Sequence, residues 1–141
     1  MRPELYQAET ERIATQQRAI LDEAHTLLLG GQRLSALERN GVLHALQVLI
    51  NNAIGKGKHW LKAAGQPVPV SAYDTFSALV QSKLLPDNDL KTWNALVGLR
   101  NRIVHDYMNI DMERILALVH DRAYDFVVDF LMRASPPSRT C

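Results

Sequence analysis

The chain has 141 residues, of which 47% are hydrophobic and 22% are charged. These proportions are typical of a folded globular protein and argue against a disordered one. Basic and acidic side chains nearly balance, leaving a formal net charge of +1, which argues against coating of nucleic acid by bulk electrostatic attraction. The single cysteine, Cys141, excludes a disulfide within the chain and a cysteine-rich zinc site.

The distribution of apolar residues gives no sign of a membrane protein. No apolar run approaches the roughly 20 residues that a membrane span requires, and the acidic N-terminal region does not resemble a signal peptide. We therefore expect a cytoplasmic protein with no membrane partner. At this length we expect one domain over residues 1–134, followed by a disordered tail over 135–141 that is rich in proline and serine.

Hydrophobic residues recur at helical spacing in five segments. Gly30 and Gly31 end the first segment, Ser35 and Glu38 form a capping box for the second, and Gly65 closes it. The first three predicted helices span about 4–29, 36–64 and 72–84. The fourth follows an Asp87 cap and extends to about Tyr107, and the fifth begins at Asn109 or Asp111 and runs through Met132. Such lengths and short connections predict an all-α fold, an up-and-down bundle of four main helices plus one short helix.

A glycine- and lysine-rich stretch, Gly55-Lys56-Gly57-Lys58-His59, lies inside the predicted second helix. It lacks the spacing of a P-loop and no strand precedes it, so it does not predict a nucleotide site. Lys56, Lys58 and Lys62 instead suggest a modest basic patch for RNA or a partner. Trp60 and Trp93 are predicted to be core residues.

The most informative stretch lies at the end of the predicted fourth helix. Arg100 falls on or beside the apolar seam formed by Val97 and Ile103, where a cation without a partner is costly.

Near this seam, four residues form a second, polar stripe, the polar ridge: Asn94, Gly98, Asn101 and His105. Gly98 would let another backbone or a ligand approach closely. This arrangement predicts a functional site rather than an ordinary solvent-exposed face of the helix.

These residues resemble a known signature. Arg100, followed by Asn101, then His105, one residue and Tyr107 are similar to the motif of the HEPN ribonuclease superfamily, in particular of HepT-like toxins, and the similarity spans roughly residues 4–133. The resemblance implies a HEPN-like fold and a metal-independent endoribonuclease with no cofactor. It implies Arg100 and His105 as catalytic residues, Asn101 and Tyr107 as supporting ones, and a homodimer with a composite site.

The residue types agree with that chemistry. Cleaving RNA without a metal needs a base for the 2′-hydroxyl, a cation for the phosphorane and an acid for the leaving 5′-oxygen. Histidine exchanges protons near neutral pH, and a guanidinium holds two phosphate oxygens at once. We therefore expect His105 to transfer protons and Arg100 to stabilise charge. The chain has no cluster with convincing metal-ligand spacing, so no metal site is predicted.

Helix geometry favours two copies of the chain. Positions 100 and 105 point roughly 140° apart on a regular helix, so one chain brings Arg100 to His105 only if the arginine bends back or the helix unwinds near its end. Two chains paired along the polar ridge would place two copies of each side chain around one cleft. We expect an isologous homodimer.

Two supporting residues leave alternatives open. Asn101 either orients the His105 ring or contacts phosphate, or it is an exposed helical amide. For Tyr107 the residues alone favour a core aromatic with a satisfied hydroxyl. The family resemblance implies a minimal nucleotidyltransferase antitoxin as partner, with Tyr107 as the acceptor of AMP.

Two other functions remain open at this point. The chain would act without catalysis if it were a helical partner that presents a substrate to a nucleotidyltransferase. The chain would be a purely structural dimer if Arg100 and His105 served only as polar partners for each other.

Overall fold

The protein is all-helical, as its sequence predicts. The computed structural model describes residues 2–134, which contain no strand. Two short 3₁₀ turns, Asp87–Asp89 and Tyr107–Asn109, flank the fourth helix. The α-helices are α1 (Pro3–Leu29), α2 (Ala36–Ala63), α3 (Ala72–Gln81), α4 (Leu90–His105), α5 (Met112–His120) and α6 (Asp125–Met132). The all-α class is confirmed, and the predicted tail at 135–141 lies outside the described residues.

The ends of α1 and α2 follow from local sequence. The Ser35 hydroxyl accepts from the Glu38 N–H at 3.1 Å, and the Glu38 carboxylate accepts from the Ser35 N–H at 2.8 Å, so the predicted capping box is confirmed. Gly31 and Gly65, just beyond the two helices, have φ of 76° and 73°. Glycine adopts this left-handed conformation at little cost, which allows the chain to turn there.

Three predicted boundaries were too wide. The third helix ends at Gln81, and Lys83 beyond it adopts a left-handed φ of 61°. The side chain of Asp87 makes no capping hydrogen bond, and α4 begins only at Leu90 after the 3₁₀ turn. The helix stops at His105, because Asp106 leaves helical conformation with φ −138° and ψ 41°.

The predicted single fifth helix was wrong, because a break divides it into α5 and α6. At the break Arg122 has a left-handed φ of 57°. Its guanidinium pairs with Asp125 at 2.9 Å and with Asp22 of α1 at 3.1 Å, and the Tyr124 hydroxyl donates to Asp22 at 2.6 Å. Burial is the main cause that raises the pKa of Tyr124. A carboxylate on a distant helix therefore stabilises the break.

An aromatic cluster fixes α4 in the bundle. Trp93 of α4 is 1% exposed; it stacks on Phe76 of α3 with a centroid distance of 4.3 Å and contacts Phe130 of α6 at 5.1 Å. Trp60 of α2 meets Phe130 edge-on at 4.9 Å. Both tryptophans are core residues, as predicted. With its apolar face held this way, α4 leaves Asn94 and His105 exposed.

The predicted basic patch on α2 was wrong. Lys56 is buried, 1% exposed, and its ammonium group donates to the backbone carbonyls of Phe130 at 2.7 Å and Leu131 at 3.0 Å, and to that of Arg133. Burial is the main cause that lowers the pKa of Lys56 to about 8. Of the three lysines, only Lys62 is exposed, so they form no common surface.

Across residues 2–134, none of the helices combines the length and apolar character needed to cross a membrane.

Candidate active site

The motif predicted from sequence lies at one end of α4. Arg100 and Asn101 are helical, His105 is the last helical residue and Tyr107 opens the 3₁₀ turn that follows. The turn is closed locally, since the Asn109 N–H donates to the Asp106 carbonyl at 3.0 Å and the Asn109 amide donates to the Asp106 carboxylate at 2.7 Å. The four side chains of the motif thus lie within eight residues at the end of the helix.

Arg100 is partly buried beside the apolar seam, as the sequence predicts. Its neighbours on the seam, Val97 and Ile103, are buried, and the Nε atom of Arg100 is buried with no hydrogen-bond partner within the described part of the chain. Buried donors are nearly always paired in folded proteins, so an unpaired one indicates strain, function or a missing partner. The guanidinium is available for a ligand or a second chain.

His105 is exposed at the C-terminal end of α4. Among residues 2–134 its side chain makes no hydrogen bond and no ion pair, so it does not pair with Arg100 in one chain. The helix stays regular through His105, so unwinding does not bring the two side chains together. Asn101 is partly buried and its amide likewise makes no hydrogen bond to the described residues.

Tyr107 does not occupy the core. Its side chain is 49% exposed, which makes the predicted core position wrong, whereas the predicted satisfied hydroxyl is present: it donates to the side-chain oxygen of Asn40 on α2 at 2.6 Å. Sequence reasoning missed Asn40, because the two residues are 67 positions apart and no local pattern connects them.

The polar ridge is not an open groove along its whole length. A Cβ atom at Gly98 would lie 3.3 Å from the hydroxyl oxygen of Tyr73 on α3, so the close approach that Gly98 permits is made by this side chain of the same chain. Tyr73 is 42% exposed. Its position three residues before Phe76, which stacks on Trp93 of α4, was the available signal that it lies on the side of α3 that faces α4.

Exposed apolar side chains lie within the motif and just after it. Val104 is 41% exposed and Met108 is 90% exposed. Exposed apolar side chains next to polar groups are typical of an interaction site. This end of the bundle therefore combines unpaired polar chemistry with surface suited to a partner.

An apolar groove lies beside the motif but does not include its catalytic candidates. It has a volume of about 180 Å³ and runs between α4 and α5, lined by Leu96, Leu99, Ile110 and Leu118, with Arg102 among its polar residues. Neither Arg100 nor His105 lines it. Within residues 2–134, no group of three or more histidine, cysteine, aspartate or glutamate side chains is arranged to hold a metal ion.

A family model described as "Ribonuclease HepT-like" matches residues 29–133. The chain belongs to the HepT-like ribonuclease family. A curated relative, the mRNA nuclease HepT of Shewanella oneidensis, is 27% identical to this HepT-like chain over 88 residues. That alignment covers 62% of this chain and 66% of the relative, which is slightly less than two thirds of the relative's length.

Two solved structures share the fold of this HepT-like chain. One is a chain of a toxin–antitoxin crystal structure with AMP-PNP, with a TM-score of 0.75, 18% identity and coverage of 93% of this chain and 99% of that one. The other belongs to a tri-AMPylated Shewanella oneidensis HEPN toxin in complex with MNT antitoxin, with a TM-score of 0.63, 21% identity and coverage of 84% and 96%. At these identities the similarity establishes the HEPN-type helical fold.

Proposed function

We propose that this HepT-like protein is the endoribonuclease toxin of a toxin–antitoxin pair, acting on RNA in the cytoplasm without a metal ion. Arg100 and His105 are the proposed catalytic residues. The observation that carries the proposal is that neither side chain has a hydrogen-bond partner among the described residues, although one is partly buried beside the core. The name of the Shewanella relative, an mRNA nuclease, supports the reaction class.

The proposed reaction is a transesterification. An imidazole of His105 takes the proton of the 2′-hydroxyl, whose oxygen attacks the adjacent phosphorus. The guanidinium of Arg100 binds the phosphate oxygens and stabilises the negative charge that grows on them. A second, protonated imidazole gives its proton to the 5′-oxygen as the bond from phosphorus to that oxygen breaks. The products are a cyclic phosphate and a free 5′-hydroxyl.

Two imidazoles require two chains, since each chain supplies one histidine at this site. The regular path of α4 through His105 supports this arrangement, because it keeps Arg100 and His105 on different sides of one helix. The exposed Val104 and Met108 provide apolar area for such a contact. We propose an isologous homodimer that joins the two motifs in one cleft, with Asn101 orienting an imidazole or contacting phosphate.

The proposed second partner is a minimal nucleotidyltransferase antitoxin that transfers AMP to Tyr107. The half-exposed ring and accessible position of Tyr107 support this role. The structural relatives, an AMPylated toxin in complex with its antitoxin among them, support the partner class. AMP on Tyr107 would add a phosphate charge and a nucleoside two residues from His105, and both would oppose RNA binding.

Cleavage of RNA in excess EDTA tests the reaction. We expect the wild type to cleave, His105→Ala to lose at least about 100-fold in rate, and the control His120→Ala, at an exposed histidine on α5, to cleave like the wild type. Cleavage abolished by EDTA would contradict the metal-free mechanism. Absence of cleavage in every sample, with tight binding to the nucleotidyltransferase, would favour a non-catalytic helical partner instead.

Mass spectrometry tests the modification. We expect one AMP on Tyr107 after co-expression with the transferase, and none on Tyr107→Phe. The control Tyr73→Phe should be modified like the wild type. An unmodified Tyr107 in fully neutralised protein would contradict this part of the proposal.

A further inference from the structure

The hydrogen bond between Tyr107 and Asn40 joins the motif to another helix. The Tyr107 hydroxyl donates to the Asn40 side-chain oxygen at 2.6 Å, although both residues lie at the surface. Among the side-chain hydrogen bonds of residues 2–134, it is the one that connects the turn Tyr107–Asn109 to a helix other than α4. The remaining bonds of the turn run back to Asp106. Asn40 is therefore the side-chain tether of the turn to α2.

The tether acts two residues from His105. Because Asp106 leaves helical conformation directly after His105, the direction of the chain at that point depends on where Tyr107 is held. The His105 side chain has no hydrogen bond of its own among the described residues that would hold it in place. We propose that Asn40 is a positioning residue, which fixes the His105 ring through the Tyr107 hydroxyl.

A second consequence rests on the proposed function. Nucleotidyl transfer forms a bond between the Tyr107 oxygen and the α-phosphorus of a nucleoside triphosphate, breaks the bond to the pyrophosphate leaving group and releases the phenolic proton. The oxygen then has no hydrogen to donate to Asn40. The new phosphate also carries negative charge toward the Asn40 carbonyl oxygen. Modification of Tyr107 therefore breaks the tether and displaces the turn beside His105, in addition to blocking the cleft.

Asn40→Ala and Asn51→Ala form a matched pair of variants. Both asparagines are exposed residues of α2, but the Asn51 side chain makes no hydrogen bond within the described chain. The first readout is the NMR signal of the His105 ring during a pH titration, which requires no enzymatic activity. We expect Asn40→Ala and Tyr107→Phe to shift the ring signals and the titration midpoint alike, and Asn51→Ala to leave both unchanged.

RNA cleavage is the second readout. We expect Asn40→Ala to lower the rate about fivefold, the equivalent of one typical hydrogen bond. The double variant with Tyr107→Phe should lose no more than either single variant, because both remove the same bond. His105 signals that are identical in Asn40→Ala and Asn51→Ala would overturn the inference. If the wild type cleaves no RNA, the proposed function fails, and the NMR comparison still decides the role of Asn40.

Discussion

The ammonium group of Lys56 lies 2.7 Å from the backbone carbonyl oxygen of Phe130. The same group reaches the carbonyls of Leu131, at 3.0 Å, and Arg133. The last carbonyls of a helix have no partner within the helix, and those of α6 are buried against α2. A lysine in the middle of one helix thus caps the end of another and holds the C-terminal helix in the bundle.

Lys56→Met should destabilise the protein by about 1–3 kcal/mol, because it keeps the apolar stem but removes all three hydrogen bonds of the ammonium group. The Phe130 carbonyl keeps the Arg133 N–H as a donor and the Leu131 carbonyl keeps the Gln7 amide, so the loss falls most heavily on the Arg133 carbonyl. Lys62→Met, at an exposed position on the same helix, should change the free energy of unfolding by less than about 0.5 kcal/mol. Denaturant unfolding at one protein concentration measures both. Equal stability of the two variants would show that the capping bonds make no net contribution.

The contribution of Lys56 should depend on pH in a defined direction. Burial is the main cause that lowers the pKa of Lys56 in the folded state to about 8 from 10.5, and the positive charge of Arg133 adds to it. Between these two pH values the unfolded chain holds a proton that the folded chain has lost. Stability therefore rises with pH across this window, by up to about 3 kcal/mol.

Comparing the wild type with Lys56→Met isolates this contribution. The difference between their free energies of unfolding should grow from pH 7.5 to pH 10.5 in favour of the wild type. A difference that shrinks with rising pH would mean that the three carbonyls stabilise the ammonium more than burial destabilises it.

Two glycines of α2 should respond oppositely to alanine. A Cβ at Gly57 would lie 2.8 Å from the Leu79 side chain and 3.2 Å from Thr75, both fully buried, so Gly57→Ala should cost about 1–3 kcal/mol. At exposed Gly55 a Cβ would lie 3.7 Å from the Tyr6 hydroxyl oxygen of α1, which is an ordinary van der Waals distance. Gly55→Ala should therefore stabilise the protein by up to about 1 kcal/mol through helix propensity. Thermal unfolding of both variants tests the contrast.

Local chemistry made part of the fold predictable. The capping box at Ser35 and the glycines that follow α1 and α2 act over a few residues, so their sequence pattern was sufficient. The break before α6 depends on Asp22, about 100 residues earlier, and the apolar stripe continues across it. Lys56 lies three residues after Ala53 and four before Trp60, on the apolar face of α2, but its charge suggested exposure because the carbonyls that bind it are more than 70 residues away. Both features depend on contacts between distant helices.

In the candidate site too, some features could be predicted from local sequence and others depend on contacts between distant helices. The motif itself lies on one helix end, so its residues could be selected from sequence and family resemblance. Asn40 and Tyr73 come from other helices, and only the packing of α2 and α3 brings them to Tyr107 and Gly98. The catalytic roles of Arg100 and His105 stay predictions, because they depend on a substrate and a second chain.

Arg100→Met should separate stability from activity. The buried, unpaired Nε of Arg100 costs free energy in the folded chain, and methionine fills similar space without a polar group. We expect the free energy of unfolding to rise by about 1 kcal/mol, while RNA cleavage falls at least about 100-fold through loss of the phosphate-binding cation. Arg102→Met, at an exposed position two residues further along α4, is the control for stability.

Both variants should be unfolded at the same protein concentration, because the proposed dimer would contribute to apparent stability. A stabilised and inactive Arg100→Met variant would mean that the arginine is kept for function at a cost to folding, as active-site residues often are. A variant that is less stable than Arg102→Met by more than about 1 kcal/mol would mean that the guanidinium supports the fold. In that case the unpaired Nε would no longer argue for a phosphate ligand, and His105 alone would have to carry the assignment of a ribonuclease site.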